Sequence, residues 1–277
     1  MITNSQLKEL SELREKEGRR KQKRFLIEGK RSVADALEKP SGIRQIFASL
    51  GVNSAKFSDI AAEAERLGIE LSEIPANKFN KLTSTETSQG IVAVADIPET
   101  NLGNLISGLR SSKSATVILL DRISDPGNLG TIFRSAAWFG AKWVVVAEGS
   151  VDSYNPKVVR SAMSAIPVIE IVQDESIPNA LIELKKIGFS AIASTQSACD
   201  NYTSLEFPGK TALVFGSEAA GLSKDVLSLC DRTVCIPGRG KMESLNVAVA
   251  ASIVLAEISR QHSVRHDGAK PNSRNTN

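Results

Sequence analysis

The stretch DPGNLGTIFRSAAWFGA, Asp125–Ala141, decides how this chain is read. It follows an apolar run, Thr116–Leu120, that reads as a buried strand. Asp125, Pro126, Gly127 and Asn128 read as a turn and helix cap. A strand, a glycine turn and a new helix resemble the entry to a phosphate loop. Yet Gly127 and Gly130 do not have the G-x-G-x-x-G spacing of a dinucleotide site, and no G-K-[ST] follows. Instead Arg134 stands inside the helix, about two turns beyond Asn128. The question is what an Asn and an Arg so placed would hold.

Outward from this stretch, strands and helices alternate along the chain. Residues 4–17 read as one helix with Leu7, Leu10 and Leu13 on one side. Short strands are expected at 25–27, 43–49, 69–71 and 90–95, with helices over 31–37 and 58–67. After Asp96 a segment rich in Gly, Ser, Asn and Pro surrounds a weak helix and reads as a link. From Thr116 the strands are expected at 117–120, 143–146, 166–171, 190–193, 212–215 and 233–236. Apolar strands separated by helices imply a largely parallel sheet covered on both faces, an α/β domain. A last helix over 244–259 is apolar on nearly all sides, as buried or interface helices are. The division expected is residues 1–97, a link at 98–114, a second domain at 115–261 and a disordered polar tail at 262–277.

Composition removes several classes. The 277 residues are 42% apolar and 23% charged, an ordinary globular balance large enough for two modest domains. No run nears the about 18 apolar residues of a membrane span, and the charged N-terminus has no signal-like apolar region. Three cysteines without C-x-x-C spacing suggest a reducing cytoplasm and no metal. Both histidines, His262 and His266, lie in the expected tail, so a His-based triad in the folded body is excluded. Chemistry must rest on Asn, Arg, Glu, Ser and backbone groups, a set suited to positioning. Net charge is only +3, but basic residues crowd into 14–24. Arg19, Arg20, Lys21, Lys23 and Arg24 read either as a solvated surface or as a phosphate-contacting patch for nucleic acid.

Two more turns follow strand ends. The run 212–215 enters GSEAAGLS, Gly216–Ser223, and the run 233–236 enters PGRGKMESLNVAVAA, Pro237–Ala251. Ligands of open parallel sheets bind outside the carboxyl ends of the strands. Taken singly, each turn is an ordinary strand-to-helix connection, and Arg134 an ordinary exposed residue. Their joint occurrence in this order is what argues for a site.

These three turns resemble the three sequence motifs of the SpoU (TrmH) family of RNA ribose 2′-O-methyltransferases. The first is matched by Asp125–Arg134, the second by Phe215–Leu222, and the third by Ile236-Pro237 with Glu243–Ala248. The segment FLIEGKRSVADAL, with GIVAVAD, resembles the family's N-terminal substrate-binding domain, which is ribosomal-protein-like. Gly238 stands where relatives often carry Met or another apolar residue. The resemblance implies a trefoil-knotted parallel-sheet (SPOUT) domain, a homodimer, and S-adenosylmethionine among the knotted loops. It implies cofactor contacts at Thr195, Phe215, Gly216, Ile236, Ser244 and Leu245. Arg134 would grip the target phosphate and help activate the hydroxyl, with Asn128, Glu218, Ser244 and Asn246 positioning it, the ribose or the cofactor. The implied substrate is RNA, ribosomal RNA before transfer RNA. The competing readings are a non-catalytic RNA-binding or ribosome-assembly protein, and an NAD-dependent oxidoreductase. The latter is disfavoured by the absent dinucleotide fingerprint.

Overall fold

The computed structural model describes residues 2–38, 42–52, 54–85, 87–196, 200–217, 220–241 and 244–267. The first hundred residues form α1 (Asn4–Ser11), α2 (Lys16–Gln22), β1 (Arg24–Glu28), α3 (Lys30–Leu37) and β2 (Ile43–Ser49). They continue with α4 (Ser58–Arg66), β3 (Glu70–Ile74), α5 (Ala76–Phe79) and β4 (Ile91–Asp96). The strands make a sheet in the order β1-β4-β2-β3, antiparallel at β1–β4 and β4–β2 and parallel at β2–β3.

The helix expected over 4–17 is two helices. Thr3 and Gln6 start α1 with a reciprocal capping box. The chain tightens into a 3-10 turn at Glu12–Arg14 and becomes extended at Glu15, where α2 begins anew. Gly18 permits this fold-back: a Cβ there would lie 2.0 Å from the Glu12 carbonyl oxygen. Leu7, Leu10 and Leu13 are buried as expected, against Leu26, Phe47, Val92 and Val94 of the sheet.

The rest of the chain forms α6 (Leu102–Leu109), β5 (Ala115–Asp121), α7 (Pro126–Trp138), β6 (Trp143–Ala147), α8 (Pro156–Ala162) and β7 (Glu170–Glu175). Then come α9 (Ile177–Lys186), β8 (Ser190–Ser194), β9 (Asp200–Asn201), β10 (Lys210–Gly216), α10 (Lys224–Leu229), β11 (Arg232–Cys235) and α11 (Val247–Asp267). The sheet order is β7-β6-β5-β10-β8-β11-β9, and the pairings from β6 through β9 are parallel. The α/β class with a parallel sheet is therefore as expected. The strand expected at 166–171 starts later. Met163–Val168 is a 3-10 turn containing Pro167, which has no N–H for a ladder.

The segment expected as a link is part of a core. Asn101 accepts a hydrogen bond from the Asn104 amide at 2.9 Å and caps α6. Leu102, Leu105, Ile106 and Leu109 are then buried with Val117, Leu119 and Val214. At the other end, α11 starts three residues later than expected and runs on to Asp267, into the expected tail.

By their internal contacts the residues group into two compact units. One contains residues 1–100, 124–134 and 151–170; the other contains 101–123, 135–150 and 171–277. In the first unit, long-range polar contacts bind 151–170 to the N-terminal elements. Arg19 pairs with Asp152, Arg160 with Ser84 and Glu28, and the Ser164 hydroxyl donates to Asp35. The rings of Phe25 and Tyr154 lie 4.9 Å apart. In the second unit the parallel sheet carries the core. Among the described residues no helix is long and apolar enough to cross a membrane.

Candidate active site

The opening motif forms the turn after β5 and the first half of α7. Asp125, rather than Asn128, is the cap. Its carboxylate accepts the Asn128 amide at 2.8 Å, and its carbonyl accepts the Leu129 amide at 3.1 Å. Pro126 occupies the first helical position, where a missing N–H is harmless. Asn128 thus lies inside the helix, half-buried. Gly130 is required by packing. A Cβ there would meet Ser161 Cβ at 2.5 Å and the Val158 carbonyl oxygen at 2.6 Å, so α7 passes directly against the α8 backbone. Leu129, Ile132, Phe133 and Ala136 are buried, which leaves Arg134 on the exposed face. At about 100° per residue, Asn128 and Arg134 leave the helix roughly 120° apart, on different faces.

The second and third motifs belong to the parallel sheet. Strands β10, β8 and β11 are neighbours in that order, so their carboxyl ends lie within about 10 Å of one another. Thr195 follows β8, and its amide donates to the Val234 carbonyl at 2.9 Å. The Phe215 side chain is buried in the core, so only its backbone is available at the strand end. Gly216 cannot be larger, since a Cβ would lie 2.4 Å from the Gly221 carbonyl carbon. The turn closes there with the Gly221 amide donating to the Ser217 carbonyl at 2.8 Å. Gly221 has φ +62°, the left-handed conformation that favours glycine. Ile236 is half-buried, and Pro237–Gly240 are exposed. A Cβ at Gly238 would meet nothing within 4 Å, so packing does not impose glycine at this departure from the family pattern.

Ser244, Leu245 and Asn246 lead into α11. The Asn246 side-chain oxygen accepts the Ala248 amide at 2.9 Å and the Val249 amide at 3.3 Å. Asn246 is therefore the helix cap, and the helix begins at Val247. Leu245 keeps 49% of its surface exposed. Glu218 lies outside the described residues, as does Glu243.

This arrangement fits S-adenosylmethionine. A flat adenosine and a zwitterionic tail need apolar walls beside backbone hydrogen-bonding groups. Ile236 and the exposed Leu245 are apolar side chains of the kind required, and the glycine-bearing segments at Gly216 and Pro237–Gly240 have backbone of the kind required. The structure thus brings together the ends that carry Thr195, Gly216 and Ile236. Sequence reasoning missed Asp121, at the end of β5. It pairs in register with Gly216, and its carboxylate accepts the Ser223 amide at 3.4 Å after the second motif. It also did not decide which residue of Asp125–Asn128 is the cap, although a carboxylate three residues before Asn128 is a cap signal.

The expected basic patch needs one correction. Arg19 is only 2% exposed. Its Nε and Nη2 donate to Asp152 at 2.7 and 2.5 Å, and its Nη1 donates to the carbonyls of Leu13 and Arg14, both at 2.8 Å. A guanidinium so engaged is a core fastener, not a phosphate contact. Arg20, Lys21 and Lys23 are exposed, whereas Arg24 is half-buried and 3.6 Å from Asp96.

No cluster of metal-ligating side chains exists among the described residues. His262 lies on α11 with a ring nitrogen 3.3 Å from the Pro208 carbonyl oxygen, and the His266 side chain is outside the described residues. Cys230 and Cys235 are free thiols. Burial, and then the neighbouring Asp231 charge, push the Cys230 thiol up to about 11.

The comparisons with known proteins agree with this geometry. The SpoU rRNA methylase family model matches residues 115–256, and the MRM3-like substrate binding domain model matches residues 4–93. The 23S rRNA (guanosine(2553)-2′-O)-methyltransferase RlmP of Bacillus subtilis is 32% identical over 91% of this chain and 95% of its own length. The 23S rRNA (guanosine-2′-O-)-methyltransferase RlmB of Acinetobacter baylyi is 31% identical over 84% of this chain and 96% of its own. Among solved structures, the SpoU methyltransferase AviRb of Streptomyces viridochromogenes, in complex with the cofactor AdoMet, superposes with a TM-score of 0.83. That match is 28% identical and covers 94% of this chain and 99% of AviRb. The AdoMet-bound rRNA methyltransferase of Sinorhizobium meliloti superposes with a TM-score of 0.81 at 25% identity, over 95% of this chain and 96% of that one. Family matches over both halves of the sequence, and a relative 32% identical over 91% of it, place the chain in the SpoU rRNA methylase family, the S-adenosylmethionine-dependent RNA ribose 2′-O-methyltransferases.

Proposed function

We infer that this chain methylates a ribose 2′-hydroxyl in ribosomal RNA, with large-subunit RNA as the first target. The observation that carries the reading is the pair of motif turns at the ends of β10 and β11, on strands that flank β8 in one parallel sheet. Relatives named as acting on 23S rRNA support the choice of RNA. S-adenosylmethionine supplies an electrophilic methyl group on a positively charged sulfur. The backbone at Thr195, Phe215, Gly216 and Ile236, with Ser244 and Leu245, holds that donor. Arg134 holds the phosphate of the target nucleotide and so aligns its hydroxyl. Guanidinium groups stay protonated in proteins, so that phosphate or a water is the better proton acceptor. Asn128, Glu218 and Ser244 orient the ribose and donor. Asn246 contributes through Nδ2, because its Oδ1 caps α11.

Residues 1–97 serve as the RNA-binding domain, and 115–261, with α6 packed into its core, as a catalytic domain with the family's trefoil knot. The enzyme acts as a homodimer in the cytoplasm. Trp138, 83% exposed, and the exposed Val249 of α11 offer apolar surface for the partner. Residues of both subunits complete the active site.

The test is methyl transfer from radiolabelled S-adenosylmethionine to separated 23S, 16S and transfer RNA. Label in 23S RNA with wild type, and none with Arg134→Ala, is expected, while calorimetry shows donor affinity nearly unchanged in the variant. Label confined to transfer RNA, or transfer retained by Arg134→Ala, would contradict the reading.

A further inference from the structure

The residue after β5 is Arg122, and its backbone lies in the left-handed region at φ +57°. Side-chain-bearing residues adopt this conformation at a cost, and glycine is the usual occupant. A long cationic side chain at such a position asks for a reason. Packing does not supply one, because the side chain is 45% exposed.

The side chain is nevertheless held in a fixed direction. Its Nε donates to Asp121 Oδ1 at 3.0 Å and its Nη2 to Asp121 Oδ2 at 3.3 Å, a two-pronged fork on the preceding residue. Asp121 is itself only 6% exposed and is fixed by the Ser223 amide. The Arg122 stem runs past the turn after β6, where a Cβ on Gly149 would meet Arg122 Cγ at 3.8 Å. Asp121 pairs in register with Gly216, so the guanidinium stands at the carboxyl edge of the sheet, beside the strand that enters the second motif. The fork uses Nε and Nη2, and Nη1 lies outside it on a side chain that is 45% exposed.

We propose that Arg122 is a further substrate-positioning residue, which holds an RNA backbone phosphate at the carboxyl edge of the sheet. The proposal rests on the RNA methyltransferase reading. A buried carboxylate that orients an exposed guanidinium pre-organises it for an anion. The alternative anion is the carboxylate of the methyl donor. The alternative role is purely structural, with Arg122 steadying Asp121 and the turn that Ser223 closes.

The experiment uses the full chain with Arg122→Gly and Arg122→Lys. Glycine suits the backbone conformation, and lysine keeps the charge beside Asp121 without the fork. Filter binding to protein-free 23S rRNA is measured across a salt series, and S-adenosylmethionine affinity by calorimetry. For Arg122→Gly, RNA affinity should fall about tenfold, as for one charge-assisted contact. The slope of log K against log salt should shrink by about 0.7. Donor affinity should stay within about twofold of wild type, and Arg122→Lys should fall between. RNA affinity and slope equal to wild type in both variants would overturn the proposal. Loss of donor affinity in Arg122→Lys, with RNA binding intact, would reassign the residue to the donor carboxylate. If Arg122→Gly fails to fold, Arg122→Lys decides by the same two readings. These bindings do not depend on turnover. Wild type that binds 23S rRNA yet transfers no methyl to it sinks the functional reading, whereas unchanged RNA binding in both variants, beside a wild type that transfers, sinks this proposal alone.

Discussion

Replacement of Arg19 by Ala should destabilise the protein rather than weaken a phosphate contact. Arg19 makes four short hydrogen bonds, two to Asp152 and one each to the carbonyls of Leu13 and Arg14. Both partners of the ion pair are buried, at 2% and 10% side-chain exposure, so solvent screening is slight. Removal of one partner of a buried pair costs about 3–5 kcal/mol, because the other charge is left uncompensated. Asp152 would retain only part of its support, the Tyr154 amide at 3.0 Å. Against a domain stability of about 5–15 kcal/mol, that loss is large. Urea unfolding followed by circular dichroism should therefore show a markedly lower midpoint with an unchanged slope. Replacement of both partners by apolar residues, Arg19→Met with Asp152→Leu, should recover much of the loss. In RNA binding, the folded Arg19→Ala protein should keep the wild-type salt dependence. A variant within about 0.5 kcal/mol of wild type, or one with a reduced salt slope, would refute the assignment.

The converse holds for the exposed cations. Arg20→Ala with Lys21→Ala and Lys23→Ala should leave the urea midpoint near wild type and flatten the salt dependence of RNA binding; an unchanged slope removes the patch from the interface. Gly130→Ala should cost about 1–3 kcal/mol in urea unfolding, because a methyl group collides with the α8 backbone. Wild-type stability would mean that α7 and α8 can separate freely. With its thiol pushed up to about 11, Cys230 carries on the order of a thousandth of its population as thiolate at pH 8. Iodoacetamide at that pH should modify it at least about tenfold faster in urea than in the folded protein, read by mass spectrometry; equal rates would show that the thiol is not shielded.

The local features of the site were legible in the sequence because they arise from short-range chemistry. Alternating apolar runs and glycine turns mark strand ends, and the strands expected at 190–193, 212–215 and 233–236 end within one residue of where β8, β10 and β11 stop; Thr195, Gly216 and Ile236 were singled out only by the family resemblance. The helix that carries Arg134 was equally clear. Caps were less so, because Asp125 and Asn128 are both good capping residues and only the hydrogen bond between them decides. The break between α1 and α2 was hidden because the spacing of Leu7, Leu10 and Leu13 runs on through the 3-10 turn, and Gly18 reveals its purpose only against Glu12.

What the sequence determined by itself was the class of fold, the order of the three motif turns and the residue types offered to a nucleotide-like ligand. These depend on periodicities of two and 3.6 residues and on turn chemistry, which act within a few positions. The tertiary structure alone decided which strands are neighbours, and hence that the ends of β10, β8 and β11 converge. It alone turned Arg19 inward, onto a carboxylate 133 residues away, and drew α6 from an expected link into a core. The physical reason is that burial is a property of the assembled chain. A cation in a basic run looks the same in sequence whether solvent or a distant carboxylate receives it, and only packing chooses between them.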